Sequence, residues 1–138
     1  DDLIMVNQGA VCEQFIGQHL AFSGPAYEEP VLHFWMRSAR NSSAEVDFII
    51  AVGPAVVPVE VKAGKTGTMK SLQLFVREKD RDLGLRFNSD IPSFCQAQTS
   101  LANDSQRHFQ LLSLPLYLVG QTQRLCRAAV AEIRGHTR

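Results

Sequence analysis

The arrangement of apolar and polar positions along the chain predicts helices and strands in a defined order. Apolar residues recur at helical spacing in three segments, whereas other segments are rich in β-branched and aromatic residues, as strands are. The predicted helices are residues 7–22, 69–83 and 124–133, and the predicted strands are residues 31–37, 44–52, 55–63, 83–88 and 109–119. The polar residues 89–108 predict a loop with at most a short helix. The order α-β-β-β-α-β-loop-β-α indicates a mixed α/β or α+β domain with a central sheet.

Residues 44–64 combine two very apolar strands with four charged residues. If these strands form an antiparallel hairpin that turns at the central Gly-Pro pair, Asp47 faces Glu60, and Glu45 faces Lys62. Side chains alternate between the faces of a strand. One face of the hairpin would then be wholly apolar, while the other carries all four charges at the end far from the turn. The predicted apolar face consists of Val46, Phe48, Ile50, Val52, Val57, Val59 and Val61.

The facing carboxylates of Asp47 and Glu60 indicate a cation site. Their Cβ atoms would lie about 5 Å apart, and two carboxylates at that distance repel each other, which raises the pKa of one of them. A divalent cation such as Mg²⁺ removes the conflict, because it binds carboxylate and carbonyl oxygens. Lys62 would then stabilise charge developing on phosphate oxygens or orient a water molecule. The alternative is a solvated strand face with a plain ion pair between Glu45 and Lys62.

The first predicted helix carries one further carboxylate. Glu13 lies at the centre of a helical stripe of small and apolar residues, which includes Gly9, Ile16 and Gly17. Small residues on a helix face permit close approach to a neighbouring element. We therefore expect Glu13 to point toward the sheet, which makes it a candidate third metal ligand. The alternative, which is more common for a single Glu at such a place, is that only its aliphatic stem is buried while the carboxylate reaches solvent.

Composition limits the function classes only slightly. The 138 residues suffice for one domain with its own core, and 14 basic residues balance 14 acidic residues, so net charge offers no general argument for a nucleic-acid partner. Cys12, Cys95 and Cys126 are odd in number and far apart, which does not suit a disulfide framework or a paired zinc site. We interpret them as reduced core thiols of a cytoplasmic protein.

Two features of the whole sequence concern its setting. No run of about 18 apolar residues is present, so no membrane span is predicted. The chain opens on Asp1 rather than Met, and periodic structure begins almost at once. We expect the sequence to be a fragment of a longer protein.

The hairpin motif resembles the PD-(D/E)xK nuclease superfamily, in which an Asp is followed after a short hairpin by Glu-x-Lys. Here these residues are Asp47 and the run Glu60-Val61-Lys62, preceded by a helix that bears Glu13. More narrowly, residues 7–120 resemble the uncharacterised C-terminal domain of a family of prokaryotic AAA-type ATPases. The segments that carry this resemblance are NQGAVCEQFIGQHL, SSAEVDFII, VPVEVKAGKTGTMKSLQLF and LLSLPLYLV.

The resemblance implies a fold, a site and a function. The implied fold is α/β with a restriction-endonuclease-like core, which is a central mixed β-sheet flanked by helices, and residues 1–138 would form one such domain. Asp47, Glu60 and the Val61 carbonyl are the implied metal ligands for Mg²⁺ or Mn²⁺, Lys62 is the implied catalytic lysine, and Glu13 is the implied helix carboxylate. An N-terminal P-loop ATPase module of the same chain is also implied.

Two functions from different classes follow from these expectations. The first is a metal-dependent phosphodiesterase, or nuclease, that acts on DNA, and the four intact polar residues of the motif favour it. The second is a catalytically inactive nuclease-fold domain that serves the ATPase as an interaction or regulatory module, and the neutral net charge favours it. The sequence does not decide whether the domain is an enzyme.

Overall fold

The computed structural model describes residues 2–24, 32–39, 42–64, 69–100 and 106–137. These residues form a six-stranded mixed sheet with helices on both faces. The helices are α1 (Asp2–Ala21), α2 (Lys70–Glu78), a short 3-10 helix (Leu116–Gln121) and α3 (Thr122–His136). The strands are β1 (His33–Ala39), β2 (Ser42–Val52), β3 (Ala55–Val61), β4 (Leu83–Asn88), β5 (Ser93–Gln98) and β6 (His108–Pro115). The predicted α/β class, with a central mixed sheet flanked by helices, is confirmed.

The strand order in the sheet is β1-β2-β3-β4-β6-β5. The three central strands β3, β4 and β6 run parallel to one another, whereas β1, β2 and β5 are antiparallel to their neighbours. Parallel strands end at the same edge of a sheet. The carboxyl ends of the central strands, Val61, Asn88 and Pro115, therefore lie along one edge, and this is where open α/β sheets bind ligands.

Several predicted elements differ from the observed ones. The predicted strand 109–119 is wrong beyond Pro115, because a 3-10 helix (Leu116–Gln121) follows there. Helix α1 begins at Asp2, so the predicted start at Asn7 is wrong. Helix α2 ends at Glu78 rather than at residue 83, because the chain reverses through Asp80, whose φ of 53° is left-handed and incompatible with a continuing helix.

Part of the predicted loop at residues 89–108 is a strand. Residues Ser93–Gln98 form β5, which pairs with β6 at the outer edge of the sheet. Most of its side chains are exposed, so the strand has no apolar face for a sequence pattern to reveal.

The two faces of the sheet have separate cores. Helices α1 and α3 cover one face, and its core includes Ile16 and Leu20 of α1 with Val57, Val59 and Leu85 of the sheet. Helix α2 covers the other face, and its core consists of Leu72, Val76, Phe109 and Leu111. The result is a three-layer arrangement, helix on sheet on helix.

The register of the β2–β3 hairpin is as predicted over its turn half. Five consecutive pairs join the strands, from Phe48–Val59 to Val52–Ala55. The turn includes Gly53, which has a φ of 58° that L side chains rarely adopt. The turn half is thus a regular antiparallel ladder.

A bulge interrupts β2 beyond this ladder. His33 of β1 pairs with Ile49, but Trp35 pairs with Val46, so two steps along β1 oppose three along β2. The pairing places Val46 on the face of Trp35, whose ring meets Phe75 of α2 edge-on with 5.4 Å between the ring centroids. The extra residue at the bulge shifts the alternation of side chains by one.

The predicted apolar face of the hairpin is therefore wrong at Val46. Phe48 lies under α1, where a Cβ placed on Gly17 would come within 2.9 Å of the Phe48 ring, whereas Val46 lies on the side of α2. Both side chains are buried, but against different helices.

The prediction that all three cysteines are core thiols is correct only for Cys126. That residue is buried, Cys12 is half-buried and Cys95 is exposed. Burial raises the pKa of the Cys126 thiol to about 12. Among the described helices, none combines the length and the apolar character that a membrane crossing requires.

Candidate active site

Asp47 lies at the bulge of β2, where the strand leaves the β2–β3 ladder. Its Oδ2 accepts a hydrogen bond of 2.8 Å from the backbone N–H of Val61 on β3. A side-chain carboxylate thus takes the place of a backbone carbonyl at the end of the ladder. The predicted cross-strand pairing of Asp47 with Glu60 is wrong in detail, because the observed ladder stops at Phe48 and Val59.

Glu60 is the most buried carboxylate of the site. Its residue is 7% exposed, and its Oε1 lies 2.8 Å from Nζ of Lys62, two positions along the chain and on the same side of the strand. The second oxygen, Oε2, is buried and has no hydrogen-bond partner among the described residues. A buried carboxylate oxygen without a partner is costly, because desolvation is not repaid there.

The two carboxylates hold their protons more tightly than usual. Burial raises the pKa of Asp47, and the hydrogen bond from Val61 and the charge of Lys62 oppose this rise. Burial also raises the pKa of Glu60, the bond with Lys62 opposes it, and the charge of Asp47 adds to it. The site is therefore a place where negative charge is not fully compensated.

Glu13 of α1 lies at the rim of this site. Its pKa is raised by partial burial first and then by the charges of Asp47 and Glu45, which places the three carboxylates within electrostatic reach. The residue is exposed, yet the charge of Asp47 in the sheet contributes to its raised pKa, so its role as a third ligand stays a prediction. Ile16 and Gly17, the next residues of the stripe, are buried in its place.

The charged residues do not share one sheet face under the first helix, contrary to expectation. Helix α1 packs on Phe48, whereas Glu60 pairs in register with Arg86, which contacts Met69 at the start of α2. Glu60 lies on the face of α2 because side chains alternate along β3, and its neighbours Val59 and Val61 belong to the core under α1 and α3.

The donor set suits a hard divalent cation. Asp47 and Glu60 supply carboxylate oxygens, and Val61 supplies a carbonyl on the same edge of β3 as its N–H, which points at Asp47. Oε2 of Glu60, which has no hydrogen-bond partner among the residues described, is available as a ligand atom. In the described part of the chain no group of three or more His, Cys, Asp or Glu side chains is arranged to hold a metal. One or two carboxylates with water and substrate oxygens are the usual environment of Mg²⁺.

Two neighbouring residues have roles that the sequence did not indicate. The Oγ atom of Ser71 on α2 accepts a hydrogen bond of 3.3 Å from the backbone N–H of Glu45. This bond connects α2 to the charged end of β2. Gln73 of α2 accepts hydrogen bonds from the backbone N–H and the hydroxyl of Ser100 through its side-chain oxygen. Arg86 was not recognised, although it is the single charge in the apolar strand β4.

The fold and the site define a mixed α/β domain in which a buried and a half-buried carboxylate lie beside a lysine at the open end of a hairpin. A family model described as "Domain of unknown function (DUF4143)" matches residues 8–117. The match covers most of the chain, so the chain belongs to this family. Comparison with curated proteins and with solved structures finds no match.

Proposed function

We propose that this domain is a metal-dependent phosphodiesterase of the PD-(D/E)xK type that cleaves DNA, and that its sheet is a restriction-endonuclease-like core. The observation that carries the proposal is the unpartnered Oε2 of buried Glu60 beside Asp47. A carboxylate that is buried, close to a second carboxylate and free on one oxygen is poised to bind a cation rather than to stabilise the fold.

Asp47, Glu60 and the Val61 carbonyl would hold Mg²⁺ or Mn²⁺. When bound, such an ion lowers the pKa of a water ligand and offsets negative charge on a phosphate. The hydrogen bond from Val61 orients the Asp47 carboxylate, which leaves its other oxygen for the ion. Burial keeps Glu60 in one place without competition from bulk water.

Lys62 would act on the reacting groups directly. Its ammonium group is anchored to Oε1 of Glu60 and its side chain is 31% exposed, so it is both positioned and accessible. In hydrolysis, a water oxygen bonds to phosphorus as the bond to the leaving oxygen breaks. The attacking water gives up a proton, and the leaving oxygen takes one up. Lys62 orients the water and stabilises the charge on the phosphate oxygens.

Glu13 would bind a water molecule at the rim of the site. Its side chain is exposed, and the negative charge of Asp47 contributes to the rise of its pKa. A proton or a cation close to the two carboxylates is therefore favoured. The role suits a residue that contacts the ion through water. The N-terminal ATPase module, a cytoplasmic location and delivery of DNA by that module belong to the same proposal.

Cleavage assays with Glu60→Gln test the proposal. Single-stranded, duplex and branched DNA are incubated with Mg²⁺ or Mn²⁺, with the domain and with any longer protein that contains it, in the presence of ATP. We expect cleavage by the wild type and none by Glu60→Gln. Glu78→Gln is the matched control, because Glu78 of α2 forms an ion pair with Arg37 of β1 and is not one of the residues proposed to bind the ion.

Two results would contradict the proposal. Cleavage that survives Glu60→Gln would come from a contaminant. Silence of the wild type on all three substrates would instead favour an interaction or regulatory module.

A further inference from the structure

Arg86 is a half-buried cation whose partners among the described residues are all neutral. It lies in β4, and its guanidinium donates Nε–H and Nη2–H to Oγ of Ser113 at 3.2 and 3.0 Å. Nη1 lies 3.7 Å from the sulfur of Met69. No carboxylate forms an ion pair with Arg86 in the described ranges, and a hydroxyl with a thioether does not neutralise its charge.

Arg107 shows how the same fold treats another half-buried arginine. Its Nη2 lies 2.8 Å from Asp80 and 3.3 Å from Asp82, so two carboxylates compensate one guanidinium. Charges that are taken out of water are normally paired in this way. Arg86 departs from the pattern even though Glu60 is its register neighbour on β3.

Hydrogen bonds to a buried residue hold the side chain of Arg86 in one position. Ser113, which anchors the guanidinium, is 1% exposed on β6. Its two hydrogen bonds hold the guanidinium toward β6, while Glu60 on the other side is bonded to Lys62. The guanidinium of Arg86 therefore lies one strand away from the carboxylate site, near the carboxyl ends of the parallel strands. Hydrogen bonds hold it there, and no carboxylate among the described residues neutralises its charge.

We propose that Arg86, held by Ser113, binds a phosphate of the DNA backbone next to the phosphate that is cleaved. A guanidinium presents several N–H donors in a plane and matches phosphate oxygens in pairs. The donors not engaged by Ser113 remain for this anion. The identity of the ligand rests on the proposed function, whereas the lack of a carboxylate partner for Arg86 within the described ranges does not.

DNA binding without divalent metal tests this inference. A fluorescent forked duplex is titrated in EDTA at several salt concentrations with wild type, Arg86→Gln and the matched control Arg107→Gln. We expect Arg86→Gln to weaken binding roughly fivefold to tenfold and to reduce the slope of log K against log salt by about one. Arg107→Gln should leave the slope unchanged, since its charge is already neutralised by two carboxylates.

Two further variants keep the test independent of folding defects and of catalysis. Arg86→Lys retains the charge without the planar donors, so it should keep the slope and lose affinity. Asp47→Asn should abolish metal-dependent cleavage and retain the Arg86-dependent binding, which separates failure of the proposed function from failure of this inference.

Three outcomes would overturn the inference. One is an unchanged salt slope in folded Arg86→Gln, and a second is absence of DNA binding by the wild type. The third is stabilisation of wild type, but not Arg86→Gln, by inorganic phosphate without any binding of DNA, since the ligand would then be a free phosphate.

Discussion

The two ends of the β2–β3 hairpin differ in the regularity of their pairing and in the charges that they carry. At the closed end, near the turn, five consecutive pairs keep one register and Val57 is completely buried. At the open end, β2 has a bulge, and the Asp47 carboxylate accepts a hydrogen bond from the N–H of Val61. Oε2 of buried Glu60 has no hydrogen-bond partner in the part of the chain that the structure describes. The closed end gains stability from burial, whereas the open end gives up hydrogen bonds and tolerates charge repulsion.

The comparison indicates that one end of the hairpin stabilises the fold and that the other end carries the candidate site. Apolar burial contributes favourably at about 25 cal/mol per Å², while burial of uncompensated carboxylates is unfavourable. Variants at the closed end should therefore reduce stability and spare cation binding. Substitutions of the carboxylates Asp47 and Glu60 at the open end should instead reduce cation binding and spare or raise stability.

The largest expected effect is on turnover, from Lys62→Ala at the open end. Under the proposed function, loss of the ammonium group should lower the cleavage rate by about 10²-fold or more. The stabilisation by Mn²⁺ should persist, because an ammonium group is not a metal ligand. Single-turnover cleavage and thermal unfolding of the same preparation measure the two quantities. An unchanged cleavage rate would remove Lys62 from the site.

The largest expected effect on stability is that of Val57→Ala at the closed end. The substitution leaves a cavity in the core under α1 and α3, and we expect the free energy of unfolding to fall by about 2 kcal/mol. Urea denaturation measures it, and Val11→Ala is the matched control, because Val11 is 63% exposed. Equal effects of the two variants would show that the closed end is not part of the core.

Gly53→Ala should have a smaller effect at the turn itself. Gly53 has a φ of 58°, and an L side chain in that conformation costs about 1–2 kcal/mol. The response to Mn²⁺ should not change. Gly135→Ala in α3 is the control, since a Cβ there meets nothing within 4 Å and no left-handed φ is present. A neutral Gly53→Ala would mean that the turn adapts without strain.

The smallest expected effect is a gain in stability from Asp47→Asn without metal. The amide oxygen can still accept the N–H of Val61, while the repulsion with Glu60 disappears. We expect an increase of about 1 kcal/mol near neutral pH, or roughly 3–5 °C in Tm.

The pH dependence of this gain follows from the raised pKa of Asp47. Below the ordinary pKa of 3.8 the carboxyl is mostly protonated in both folded and unfolded chains, and the tighter proton binding of the folded state contributes its full stability. That contribution is lost as the pH rises through the raised pKa. The advantage of Asp47→Asn should therefore grow with pH from about pH 4 upward. An advantage that shrinks over this range would contradict the raised pKa.

The sequence predicts the closed end of the hairpin better than the open end. Alternating apolar residues and the central Gly-Pro pair were sufficient for the register from Phe48 to Val52, because burial and the turn both specify it. The bulge has no such signal, since Val46 and Phe48 are apolar in either arrangement. It depends on the pairing of β2 with β1, which is a tertiary contact.

The residues of the candidate site were likewise only partly predictable from the sequence. The spacing of Asp47, Glu60 and Lys62 was sufficient to select residues that the fold brings together. Arg86 could not be selected in this way, because its importance comes from β4 lying beside β3 and from Ser113 on β6. The strand β5 was missed because its side chains are mostly exposed and only the backbone of β6 specifies it.

Thermal unfolding with Mn²⁺ tests the central claim most directly, namely that Asp47 and Glu60 hold a divalent cation. A ligand of the native state raises Tm as its concentration exceeds Kd. We predict such a rise for the wild type, none for Asp47→Asn or Glu60→Gln, and an undiminished rise for the control Glu45→Gln, an exposed carboxylate two residues from Asp47. An equal rise in wild type and Asp47→Asn would show that the ion binds elsewhere and would contradict the account.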